Sequence, residues 1–209
     1  MTAASYCSST EPSSVERCQL LLQQWRTGLT LSMREHALLR GELNLLDRQL
    51  KRLKERTLRI AVFGRVGVGK SSLINALIGN NLLATDVAHG CTRRQQSVTW
   101  PVTVPGLNRL ELVDTPGIDE INAAGRARLA ARVAQAADLV LLVIDSDLSR
   151  TDKDALETLL ATGKPLHLVL NRCDRWPDAE HPDLLNSIRS RLPMKLPLSA
   201  VAAAPRVPV

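Results

Sequence analysis

The sequence predicts an α/β fold, a mostly parallel six-stranded sheet with helices on both faces, preceded by a long N-terminal helix or helical hairpin. Three observations carry this. From residue 58 onward, short apolar runs alternate with helical segments, the pattern that builds a parallel sheet. Aromatic residues make up only 2% of the chain, so the core must be assembled from Leu, Val, Ile and Ala, which suits helices packed on a sheet. At 209 residues the chain has room for one medium domain plus an extension.

In chain order, residues 1–14 are rich in Ser and Thr, lack a hydrophobic period and read as a disordered tail. Residues 15–56 read as a helical extension. Leu39, Leu43, Leu46, Leu50 and Leu53 repeat at spacings of four and three, and the register runs back through Leu29, Trp25 and Leu22. Gly28 and Gly41 are the expected weak points, because glycine costs a helix interior roughly 1 kcal/mol relative to alanine. Residues 57–209 read as the α/β domain. Its strands are expected at Leu58–Phe63, Ser97–Val104, Leu110–Val113, Leu139–Ile144, Leu166–Leu170 and Lys195–Leu198. Helices are expected at Ser71–Ile78, Asn122–Ala136, Thr151–Ala161 and Pro182–Arg191. Pro101 lacks a ladder donor and assigns the second strand to a sheet edge.

Charge and cysteine usage narrow the class. The formal charge is +6, and between Arg48 and Arg59 six basic residues face one acid, Glu55. Cys7, Cys18, Cys91 and Cys173 show neither zinc-ligand spacing nor a dense disulfide framework, so reduced thiols and a cytoplasmic setting are expected. No uninterrupted apolar run of about 18 residues is present, and the start of the chain has no signal-peptide pattern.

The first apolar strand runs into Gly64-Arg65-Val66-Gly67-Val68-Gly69-Lys70-Ser71, an unbroken G-x-x-x-x-G-K-S that opens a helix. Glycines let the backbone wrap phosphate oxygens, successive N–H groups and the helix N-terminus supply donors, and Lys70 reaches the terminal phosphates. Arg65, Val66, Gly67, Val68, Gly69, Lys70, Ser71 and Ser72 are therefore candidate nucleotide-binding residues, with the Ser71 hydroxyl offered to Mg2+. This loop alone leaves ATP and GTP undistinguished.

Asp114-Thr115-Pro116-Gly117 follows the third strand, which puts Asp114 at a strand's carboxyl end, where α/β sheets bind ligands. Asp114 is positioned to hold a magnesium-bound water. Gly117 offers an N–H to the terminal phosphate and a pivot when that phosphate leaves. Asn171-Arg172-Cys173-Asp174 follows the fifth strand. With these ordered motifs the chain resembles the Era-like and dynamin-related bacterial GTPases, P-loop NTPases of the translation-factor-like (TRAFAC) class, over roughly Leu58 to Ala200. Their guanine motif reads N-K-x-D. The resemblance implies that Asp174 accepts from guanine N1 and the exocyclic amine, and that Asn171 holds the base edge and the loop. Arg172 stands where the family has Lys, and its stem covers the base plane. Adenine lacks the donor pair that Asp174 would accept. Ser199-Ala200 looks like the family's last guanine-contacting loop. The family's closing helix is not expected in the short, Pro-containing segment from Val201 onward.

The resemblance also places Thr92, between the first helix and second strand of the domain, as the switch threonine that closes on Mg2+ and the terminal phosphate. Thr92 thus joins Lys70 and Gly117 as a catalytic candidate, and Ser71 and Asp114 as a metal candidate. After Gly117 comes Ile118, which cannot hydrogen-bond an attacking water. Some relatives in these families use a potassium or sodium ion held by an Asn or Ser within the P-loop, and Gly67 stands at that position without a ligand. The expected activity is a GTP/GDP switch with Mg2+ and slow unassisted hydrolysis. The alternatives are a dynamin-like self-assembling or membrane-associated module with slow or no hydrolysis, and a nucleotide binder without turnover. Expected partners are GTP and GDP. A homodimer through the G domain or the N-terminal helix, and peripheral contact of the Arg48–Arg59 stretch with an anionic membrane, are further readings. Nucleic-acid binding is not expected, because stacking aromatics are lacking.

Overall fold

The structure is a computed structural model that describes residues 13–84, 96–118 and 123–205. It resolves into two compact units, residues 1–57 and 58–209.

In the first unit the extension is three helices, α1 (Ser14–Gly28), α2 (Met33–Leu38) and α3 (Arg40–Glu55). Each of the first two opens with a capping box. Ser13 and Ser32 accept from the backbone N–H of Glu16 and Glu35, whose carboxylates reach back to the cap N–H groups. Gly28 ends α1, as its position in the stripe predicts. The second break differs from expectation. It falls at Leu39, whose backbone leaves helical geometry (φ −94°, ψ 7°), whereas Gly41 lies inside the first turn of α3. The Ser32/Glu35 box sets the start of α2, whereas Leu39, which heads α3, has no side-chain cap. α1 packs against α3, with Leu43 buried and a bidentate Arg26–Asp47 pair at 2.9 and 3.1 Å. Leu20, Leu21, Trp25, Met33, Leu38 and Leu39 are exposed.

The second unit is the α/β domain. Its strands are β1 (Thr57–Gly64), β2 (Gln96–Trp100), β3 (Arg109–Asp114), β4 (Leu139–Ile144), β5 (Leu166–Leu170) and β6 (Leu198–Ala200), in the spatial order β2-β3-β1-β4-β5-β6. β1, β4, β5 and β6 pair in parallel, while β2 runs antiparallel to β3. β2 is at the edge, as Pro101 requires, and stops at Trp100 rather than continuing to Val104. The last strand lies three residues later than the sequence predicts. Pro197 has no N–H to donate, so only its carbonyl joins the ladder, accepting from Leu168 N, and regular pairing starts at Leu198.

The helices are α4 (Lys70–Ile78), α5 (Ala123–Ala136), α6 (Arg150–Ala161) and α7 (His181–Ser190). Residues of α5, α6 and α7 pack one sheet face through Ala130, Val133, Ala134, Leu156, Leu159 and Ile188, against Phe63, Leu142, Ile144, Leu168 and Leu170. On the other face α4 contributes Leu73 and Ile74, packed with Ile60, Val62, Leu112 and Val143. The alternation of faces along β1, β4 and β5 explains why their sequences read as continuous apolar runs: both sides are covered. Burying each such side chain stabilises the domain by about 1.5–3 kcal/mol before conformational entropy is counted. Trp176 N donates to Cys173 O, closing a short 3-10 turn (Cys173–Arg175), and the indole packs at the border of the first core cluster.

Candidate functional site

Because β1, β4 and β5 run parallel in a single sheet, their carboxyl ends emerge together, and the loops that follow meet at one edge. β1 delivers residues 65–69 and then α4. Lys70, 7% exposed, donates from Nζ to the carbonyls of Gly64 at 3.1 Å and Arg65 at 2.7 Å, so its ammonium sits inside the loop. Gly69 adopts φ 88°, and a Cβ there would collide with the Asn171 carboxamide. Gly117 has no room for a side chain either, since a Cβ would strike the side chain and backbone of Val66. The phosphate loop and the D-T-P-G turn are thus in direct contact.

Asp114, at the end of β3, is buried and accepts from Ser71 Oγ at 2.6 Å. That bond brings β3's carboxyl end to the head of α4. Thr115, also buried, donates to Val62 O at 2.8 Å and ties the turn to β1. Ile118 is fully buried in the core. Its place after Gly117 is therefore a packing position.

β5 delivers Asn171, which is 1% exposed. Its Nδ2 donates to Val68 O at 2.9 Å and Gly69 O at 3.4 Å, and its Oδ1 accepts from Ala203 N at 3.0 Å. These bonds tie Asn171 to the phosphate loop and to the segment after β6. Arg172 has a left-handed backbone (φ 61°) and opens the turn that carries Asp174. Its guanidinium pairs with Asp145 at 3.4 Å. Cys173 is half-buried, and burial, reinforced by the Asp174 charge, pushes its thiol above the ordinary value.

Lys70, Ser71, Asp114, Gly117, Asn171 and Arg172 are therefore brought together, with Arg65, Val66, Gly67, Val68, Gly69 and Ser72 on the same loop and helix start. Ser199 and Ala200 differ from expectation in context. They lie within β6, opposite Val169 and Leu170, and Ser199 Oγ is 2.9 Å from His167 Nε2. The segment reaching the site comes after them: Val201 O accepts from Cys173 N, and Ala203 N donates to Asn171. Thr92, the loop around it, the start of the helix expected at Asn122 and the end of the chain from residue 206 lie outside the described residues.

Sequence reasoning missed two carboxylates. Arg65 donates from Nη2 to Asp145 Oδ1 at 2.9 Å and from Nε to Asp152 at 3.1 and 3.2 Å. Asp152 is fully buried and also closes a capping box with Ser149 at the start of α6. The S-x-x-D pattern of that box was visible in the sequence, but its second role, toward an arginine 87 residues away, was not. A cleft of about 380 Å3 adjoins the site, lined by Ser72, Asn75, Ala76, Asn80 and Ala203 among others. Among the described residues, no group of three or more His, Cys, Asp or Glu side chains is arranged to hold a metal by itself, and no helix is long and apolar enough to cross a membrane.

Residues 59–172 match the model of a family described as 50S ribosome-binding GTPase. The tRNA modification GTPase MnmE of Syntrophotalea carbinolica is 37% identical over 122 residues, covering 56% of this chain and 26% of that protein. GTPase Der of Verminephrobacter eiseniae is 35% identical over 145 residues, 66% of this chain and 30% of that protein. The chain thus spans about a quarter of the length of such relatives. Among solved structures, Aquifex aeolicus Era bound to GDP and aluminium tetrafluoride superposes with a TM-score of 0.61 at 24% identity, covering 70% of this chain and 51% of that one. Toc33 from Arabidopsis thaliana in complex with GDP and Mg2+ gives 0.52 at 22% identity, covering 79% and 80%.

Proposed function

The chain belongs to the 50S ribosome-binding GTPase family, within the Era-like P-loop GTPases, and from that premise we propose that residues 58–209 bind GTP and GDP with Mg2+ and hydrolyse GTP slowly as a switch. The observation that carries the reading is the convergence at one sheet edge of Lys70 in the phosphate loop, the Ser71–Asp114 pair and the Asn171–Asp174 loop.

Lys70 turns from the loop carbonyls toward the terminal phosphates as a point charge, and the loop N–H groups and α4 N-terminus share the remaining negative charge. Ser71 and Asp114 fit Mg2+, a cation that takes few protein ligands and prefers phosphate oxygens and water; the Ser71 hydroxyl would serve as a ligand and Asp114 would hold a metal-bound water. The bound ion would neutralise charge developing on the phosphate oxygens. Thr92 is the residue we assign to close over this group. Asp174 reads guanine N1 and the exocyclic amine, and Ser199 and Ala200 are assigned to the last guanine-contacting segment. Water attacks the terminal phosphorus, the bond to the bridging oxygen of GDP breaks, and inorganic phosphate leaves. Gly117 registers that departure through its N–H.

Ile118 is buried and Gly67 offers no side-chain ligand for a monovalent ion, so neither is assigned to align the water. Unassisted turnover is expected at about 10⁻⁴ to 10⁻³ per second, equal in sodium and potassium buffers. Single-turnover hydrolysis in the two salts checks this, and fast turnover by dilute protein overturns it. Binding is tested by calorimetric titration with GDP, ADP and GTPγS. The reading expects GDP to bind and ADP to give no signal, and ADP binding as strong as GDP removes the assignment of Asp174.

A further inference from the structure

Asp145 follows β4 directly and receives guanidinium groups from two separate loops. Arg65, in the phosphate loop, donates to Oδ1 at 2.9 Å, and Arg172, in the N-R-C-D loop, donates to Oδ2 at 3.4 Å. All three side chains are mostly shielded, with 19% exposure for Asp145, 23% for Arg65 and 27% for Arg172, so these charges are less screened than a surface pair. Arg65 is anchored on its other edge by buried Asp152, which Ser149 holds in turn. Arg172 runs over the phosphate loop, its Nε 3.8 Å from the point where a Cβ on Gly69 would stand. Its left-handed backbone is one that a long side chain adopts only when surroundings hold it.

Two cations from different loops share one carboxylate, and without that negative charge they would repel. We propose that Asp145 is a positioning residue that couples the base-reading loop to the phosphate loop through Arg172 and Arg65, so that the two ends of a bound guanine nucleotide are gripped by one ion-paired unit. Release of the nucleotide then requires Arg172 to part from Asp145. Arg in place of Lys at position 172 suits this role, because its fork reaches a carboxylate while the stem still lies along the loop. The inference rests on the nucleotide-binding reading above and adds a determinant of how long GDP stays.

The test uses the full chain loaded with a fluorescent GDP analogue and chased with unlabelled GDP in a stopped-flow instrument. Asp145→Asn is expected to speed release about tenfold, Arg172→Met to do the same, and the double variant to be no faster than either alone, because both remove one link. Asp145→Glu, which keeps the charge, should recover most of the wild-type residence time. A purely structural ion pair would lower thermal stability without this non-additivity in release rate. If Asp145→Asn does not fold, the same comparison is made with Arg65→Met and Arg172→Met, singly and combined. Wild-type release rates in the single variants, or effects that multiply in the double, overturn the proposal. A wild-type chain that fails to bind GDP overturns the nucleotide reading and the proposal together, whereas wild-type binding with an indifferent Asp145→Asn overturns the proposal alone.

Discussion

Asn171, proposed to contact the base, is a structural joint in its own right. Its carboxamide uses both N–H donors and its oxygen on Val68, Gly69 and Ala203, so Asn171→Ala would leave buried backbone groups unsatisfied. Each such group costs about 1–3 kcal/mol, and urea denaturation without nucleotide should show a loss of at least that size. A residue that only touched the base would show none. Lys70→Ala removes the ammonium proposed to reach the phosphates and should weaken GDP binding on the order of 10- to 100-fold by calorimetry. Gly69→Ala must hold a left-handed backbone and a Cβ against Asn171; a cost of at least about 1–2 kcal/mol should appear as a lower melting temperature. At Cys173 the sign is that of an acid kept neutral: its folded pKa lies above the ordinary value of 9.0, so it remains a thiol at mildly alkaline pH. Peptide mapping after iodoacetamide treatment should show exposed Cys18 alkylated well before Cys173.

The elements themselves were largely legible because each carries its own local chemistry. β4 and β5 fall where the apolar runs place them, since both faces of those strands are buried and the run has no gap to misread. β6 and the break at Leu39 were not legible to the same degree. In the first case Pro197 shortens a run that looks continuous, and in the second the break falls at a leucine with no side-chain cap while Gly41 stays helical. The caps are testable at this scale. Ser149→Ala should destabilise α6 by about 1 kcal/mol, and by more if Asp152 then loosens its hold on Arg65. In α1, the Ser13 backbone bond holds the Glu16 carboxyl below its usual 4.5. A depressed folded pKa means that the cap's contribution is fully present above about pH 4.5 and fades as pH falls through the lower, folded value. Far-ultraviolet circular dichroism should therefore show partial helix loss in that acid window, and Glu16→Gln should flatten it.

For the molecule as a whole, the phosphate loop, Asp114 and the Asn171–Asp174 motif could be read from sequence because each is a contiguous string next to a strand. Asp145 could not, because its bond to Arg65 spans 80 residues and exists only once β1 and β4 are neighbours. Every contact described among the site residues lies within residues 58–209, so a chain beginning at residue 57 is expected to bind GDP as tightly as the full chain does. A marked loss would show that the helical extension reaches the nucleotide. Trp176 gives the site a further property. The indole stands two positions past Asp174, just after the Cys173–Arg175 turn, and the other two tryptophans sit elsewhere, Trp25 on α1 and Trp100 on the edge strand. Occupancy of the pocket should therefore alter the emission of one native chromophore more than the others, letting the unlabelled protein report its own loading by light.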